Sequence, residues 1–161
     1  MFRVGDRVVY PLHGAGIVEG IEEKELMGER KAYYIVYLPL GSMKVMFPVD
    51  RVETLGVREV VDRSKVDVLP EILSAPDEEE SLQWSHRQRS YQERIRTGDL
   101  FEVASVFRTL HRRDKRRGLS AGERKIYELA RQILVSEVAF VLSVDFEQAG
   151  AWIEGWVCLG E

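Results

Sequence analysis

The sequence predicts an α+β protein in which a small, strongly bent β-sheet is followed by an all-α helical bundle. Short runs of Val, Ile and Tyr separated by turn residues fill the first 60 positions, and the apolar period then lengthens to that of a helix. The distribution of charge is uneven as well, with an acidic stretch over 61–80 and a basic segment over 81–131.

"RVVY" (7–10), "GIVEGIEEKEL" (16–26), "KAYYIVYL" (31–38) and "KVMFPV" (44–49) read as strands, with "VREVV" (57–61) as a fifth. Turn signals fill the gaps at Pro11 to Gly16, Met27 to Glu29 and Pro39 to Ser42. This spacing suits a Tudor-like or SH3-like domain over residues 1–60. So short a sheet buries only about 60% of its unfolded surface, so it is marginal alone and is expected to dock on the helices or on a partner. The glycines of "PLHGAGIVEG" (11–20) lead into a β-rich run and no Gly-Lys-Ser/Thr follows, so they form a structural turn rather than a phosphate loop.

Residues 64–161 read as the helical domain, with helices near 64–74, 82–96, 100–116, 121–142 and 145–157. Leu100, Val103, Ala104, Phe107 and Leu110 share one stripe, and Ile126, Leu129, Ala130, Ile133 and Leu134 share another. Ser120 with Glu123 and Asp99 with Glu102 have the spacing of capping boxes, and Gly98 and Gly118 stand where a preceding helix would stop in a left-handed residue. Pro70 conflicts with a helix running through 64–74, because proline is comfortable only in an opening turn.

Composition narrows the function. An apolar fraction of 45% with 31% charged residues is that of a soluble globular chain. Without an 18-residue apolar span or a signal peptide, a cytoplasmic protein with no membrane partner is expected. Cys158 is the only cysteine and the three histidines lie far apart, so neither a disulfide nor a metal or other cofactor is expected. His13, His86 and His111 come with no nucleophile and orienting acid, and the acidic run Asp77 to Glu80 reads as a solvated linker. The chain is not expected to be an enzyme.

The net charge of −4 conceals strong local imbalance. Residues 1–60 carry 8 Lys/Arg against 9 Asp/Glu, residues 81–131 carry 13 against 6, and the last 30 carry 0 against 5. The middle segment is therefore a basic footprint inside an acidic protein. Within it, "LHRRDKRRG" (110–118) satisfies a helix C-terminus through the dipole. Together with Arg87, Arg89, Arg94, Arg96, Arg124, Lys125 and Arg131 it is better read as phosphate-binding, with a large acidic protein surface as the alternative. Trp84 is ambiguous on these grounds: it shares a helical face with Gln88, Tyr91 and Ile95, which favours burial, while the cations around it favour display.

"VGDRVVYP" (4–11), "HGAG" (13–16), "RRDKRRGLSAGERK" (112–125) and the tryptophan at 84, in this order, resemble the CarD family of bacterial transcription regulators over nearly the whole chain to about residue 142. The resemblance implies a Tudor-like domain that binds the β subunit of RNA polymerase by edge-strand addition, a kind of domain shared with transcription-repair coupling factors. It also implies a helical domain lying on promoter DNA at the upstream edge of the melted region. There Trp84 would wedge at the minor groove, and Arg87 and Arg89 would hold phosphates beside His86, which stands where relatives often carry Arg. Arg112, Arg113, Arg116, Arg117 and Lys125 extend the DNA-binding set. On the polymerase side the matched positions are Lys24 on the second strand and Met46, between Val45 and Phe47, on the fourth. Met46 departs from the Arg expected there. Trp152 and Trp156, in an acidic tail, are expected to pack on the bundle or a partner rather than on DNA. The expected function is that of a monomeric, non-enzymatic factor that stabilises the open promoter complex and joins the nucleoid through polymerase. The alternative is a protein-only adaptor, its sheet on one partner and its basic helices on an acidic second.

Overall fold

In the computed structural model, which describes residues 1–77 and 83–160, strands β1 (Arg7–Tyr10), β2 (Gly14–Leu26), β3 (Glu29–Leu38), β4 (Met43–Pro48) and β5 (Arg58–Glu59) form one sheet. Every pairing is antiparallel and the order is β4-β3-β2-β1-β5. A bulge between Val18 and Gly20 shifts the β2–β3 register and bends the sheet. The fifth strand is shorter than the sequence predicts. After Glu59 one further bond, from the Val60 N–H to the Arg7 carbonyl at 3.1 Å, ends the ladder, and the side chains of Val60 and Val61 pack on the helical core.

The bundle consists of α4 (Trp84–Arg96), α5 (Leu100–Arg117), α6 (Ala121–Leu142) and α7 (Phe146–Leu159), preceded by the short helices α1 (Val52–Leu55), α2 (Arg63–Val66) and α3 (Leu69–Leu73). Pro70 explains why one expected helix is two: it occupies the first turn of α3, and the chain breaks before it. Gly98 and Gly118 take positive φ values of 74° and 78°, as their place after α4 and α5 requires. The Ser120–Glu123 box is complete. The Asp99 box is only half formed. Asp99 accepts from the N–H groups of Phe101 and Glu102, whereas the Glu102 carboxylate turns away to Arg94 at 2.7 Å. Asp145 and Gln148 form a further complete box at the start of α7.

Two cores result, and β1 belongs to both. Val8 and Val9 are both buried, yet Val8 joins Val18, Tyr34, Val36, Leu38 and Phe47 inside the sheet, while Val9 joins the helical core around Phe107, Leu110 and Leu134. Successive strand residues point to opposite faces, so two buried valines in a row mean a strand covered on both sides. The helices supply that second cover. Among the described residues no helix is long and apolar enough to cross a membrane.

Candidate nucleic-acid interface

Helices α4 and α5 form an antiparallel hairpin, so the start of α4, the end of α5 and the start of α6 gather at one end of the bundle. Contacts there confirm this: the Gln88 side chain fills the space where Gly122 lacks a Cβ, Arg113 pairs with Glu123 at 2.8 Å, and Arg124 pairs with Asp114 at 2.7 Å. Trp84 is the first residue of α4; its ring, like residues 78–82, lies outside what the structure describes. On the same helix Tyr91 and Ile95 are buried, Gln88 and Arg87 are half-buried, and His86 and Arg89 are exposed.

The basic residues of α5 divide into two groups. Arg112 is only 3% exposed and donates to the carbonyls of Leu73, Ala75 and Val157 at 3.2, 2.7 and 3.2 Å and to the Asp77 carboxylate at 2.9 Å. Carbonyls at the C-terminal end of α3 lack helical partners and this guanidinium supplies them, while at α7 it adds to the bond that the Val157 carbonyl accepts from the Gly160 N–H at 3.3 Å. Arg113 is buried against Glu123. The DNA-contacting roles expected of Arg112 and Arg113 are therefore corrected: both guanidinium groups bind inside the bundle. A sign of this was in the helical period, since Arg112 lies one turn beyond Arg108, itself buried and bonded to the Ile72 carbonyl, and Arg113 lies three residues beyond Leu110. Arg116 and Arg117, on the last turn, are exposed, with Arg116 reaching Asp77 at 3.3 Å. Lys125 is exposed on α6 and lines a cavity of about 400 Å³ with Leu12, Gln92, Ile95, Ile126 and Leu129, of which Gln92 lies one helical turn along α4 from Arg89.

The ionisable groups inside this end are tuned by it. Burial alone would raise the Glu123 carboxyl, but hydrogen bonds from Ser120 and Arg113 outweigh burial and hold it below its ordinary value. Burial, followed by the nearby Glu154 charge, pushes the Tyr127 phenol up to about 12, and its oxygen lies 2.8 Å from His111 Nδ1.

At the far side of the sheet, β4 is the outermost strand, and among the described residues no strand pairs with its outer edge. Period two sends Lys44 and Met46 outward, where both are exposed, and Phe47 inward, 2% exposed against Tyr34 and Tyr10. The Phe47 side chain thus belongs to the core, which corrects its expected role as an outward side-chain contact. Val45 is half-buried. Met46 pairs with Ile35, which pairs with Gly20, so Lys24 lies two strands across and four residues further along β2, about 13 Å beyond Gly20 on an exposed ribbon. The structure does not bring Lys24 and Met46 together. It does place a cation, Lys44, on the same outward face as Met46 and two residues from it, with Glu19 3.1 Å from its ammonium.

A family model for the CarD-like/TRCF RID domain matches residues 2–61, and one for the CarD C-terminal domain matches residues 68–154. The chain belongs to the CarD family. A candidate transcription factor, YdeB, from Bacillus subtilis (strain 168) is 34% identical over 148 residues, covering 92% of this chain and 97% of that one. Two solved structures of amino-terminal domains from Myxococcus xanthus are also similar. That of CarD, a 72-residue domain, shares 36% identity over 37% of this chain and 79% of its own, with a TM-score of 0.33. That of CdnLNt shares 38% identity over 38% and 86%, again with a TM-score of 0.33. Family membership makes the coarse function transcription regulation, in a family of transcription factors rather than enzymes.

Proposed function

We propose that this CarD-family protein docks on the RNA polymerase β subunit through the outer edge of β4 and lays the basic end of its bundle on promoter DNA, stabilising the open complex. The observation that carries the reading is that Arg89 on α4, Arg116 and Arg117 on the last turn of α5 and Lys125 in the early part of α6 are all exposed, on the three helices whose ends meet where Trp84 opens α4. These cations, together with Arg87 and His86, give affinity for phosphates without reading sequence. Lys44, Met46 and the unpaired β4 backbone provide the protein contact, in which strand addition supplies affinity and outward side chains supply selection. Lys24, on the ribbon, touches polymerase at a separate point.

Inserting an indole ring at a base step costs a few kcal/mol of unstacking in intact duplex, and less at a fork where the strands already part. Trp84 then binds the melted state better than the closed one, and only such differential affinity shifts the equilibrium. The test is open-complex lifetime with purified polymerase: wild type should prolong it, while Trp84→Ala should lose most of that gain with polymerase affinity unchanged. An equal lifetime for the two proteins sinks the wedge.

A further inference from the structure

The "PLHGAG" turn and β5 meet one face of α6, and their contacts form a continuous set. Gln132 donates to the His13 carbonyl at 2.8 Å, and Ser136 Oγ accepts from the Ala15 N–H at 2.8 Å. A Cβ on Gly14 would come within 2.6 Å of that hydroxyl, so glycine is what allows the turn to seat. One helical turn on, Arg7 donates to the Phe140 carbonyl at 3.0 Å and lies over its ring. At the centre Glu137, fully buried, receives both terminal nitrogens of Arg58 at 2.7 Å and the Val61 N–H at 2.9 Å. The remaining Arg58 nitrogen, Nε, donates to the carbonyl of Gly98 at 2.8 Å.

This last bond matters because Gly98 ends α4. A single planar guanidinium thus holds an edge of the sheet, the middle of α6 and the tail of the helix that begins at Trp84. A buried, bidentate ion pair adds little net stability compared with an apolar filling, but it admits one geometry. With 13 residues, α4 is about 19 Å long, and a tilt of about 10° at Gly98 displaces its other end by roughly 3 Å. We infer that Arg58 and Glu137 are positioning residues, which set the angle between the polymerase-facing sheet and α4 without touching polymerase or DNA. The inference rests on the function proposed above.

The test uses the full chain in a Cys158→Ser background with spin labels introduced by Thr54→Cys and Ser90→Cys, one in each half. The parent should give one narrow distance distribution. Arg58→Gln, at a partly exposed side chain, should broaden or shift it. Because a single change can leave a buried charge unpaired, Arg58→Met combined with Glu137→Leu provides a variant that keeps the packing and loses the fork. Both variants, folded by circular dichroism, should keep affinity for the β subunit and for forked DNA within about twofold of the parent while losing more than half of the gain in open-complex lifetime. An unchanged distance distribution overturns the inference, as does a broadened one with full lifetime gain. A parent that adds no lifetime removes the function itself and this role with it, and the distance measurement tells that failure apart from a failure of the ion pair.

Discussion

Between Arg112 and Arg117, α5 passes from the interior of the bundle to its surface, and one run of cations takes on two roles. The inner residues, Arg112 and Arg113, supply donors to helix ends and to a buried carboxylate; the outer pair, Arg116 and Arg117, is exposed on the last turn, with Arg116 also 3.3 Å from the Asp77 carboxylate. Counting charges over 81–131 does not separate the two. Asp77, which pairs with Arg112 and Arg116, and Glu154, which pairs with Arg131, lie outside this segment, so its DNA-facing potential is smaller than its net charge suggests. What separates the groups is the proximity of distant carbonyls and carboxylates.

The sharpest break of this contrast is Arg112→Ala. It removes the guanidinium from the Leu73 and Ala75 carbonyls and leaves the Val157 carbonyl only the Gly160 N–H, and unfolding by urea should show a loss of about 3 kcal/mol. Its DNA binding, measured where the variant is still folded, should keep the parental salt dependence; a shallower slope would return Arg112 to the interface. Arg117→Ala and Lys125→Ala should do the reverse. Stability should stay within about 0.5 kcal/mol of the parent, and each should lower the slope of log affinity against log salt by about one phosphate contact. A specific change in preferred sequence from either would contradict backbone contact.

The smallest effect concerns acid. The folded carboxyl of Glu123 lies below the ordinary value of 4.5, so its contribution is present above that pH and is lost as pH falls through the lower, folded value. Glu123→Gln should therefore be less stable than the parent at neutral pH, and its urea midpoint should fall less steeply on acidification. Parallel midpoints from pH 7 to about pH 3 would show that this carboxylate does not carry the dependence.

Most elements were legible because their causes are local. The four long helices lie within two residues of their expected bounds, with Ser120 at a start and Gly98 and Gly118 at stops, since caps and periodicity act over one or two turns. The opposite settings of Phe47 and Met46 were not legible, because a strand's alternation does not say which of its faces is the inner one until β3 is laid beside it. Arg58 carried no signal at all. Its partners, Glu137 and Gly98, lie 79 and 40 residues away.

Sequence alone was enough to determine an α+β chain, its element order, a basic segment within an acidic protein and the place of Trp84 at a helix start. All of these follow from interactions between residues a few positions apart and from composition. Only the tertiary structure decided which cations are internal, that β1 is covered on both sides, and that the sheet is joined to α6 through Arg58 and Glu137. Those outcomes depend on which polar groups of remote segments come within hydrogen-bonding distance, and because an unpaired charge is costly in the interior, each guanidinium found there is held by the partners that the fold brings to it.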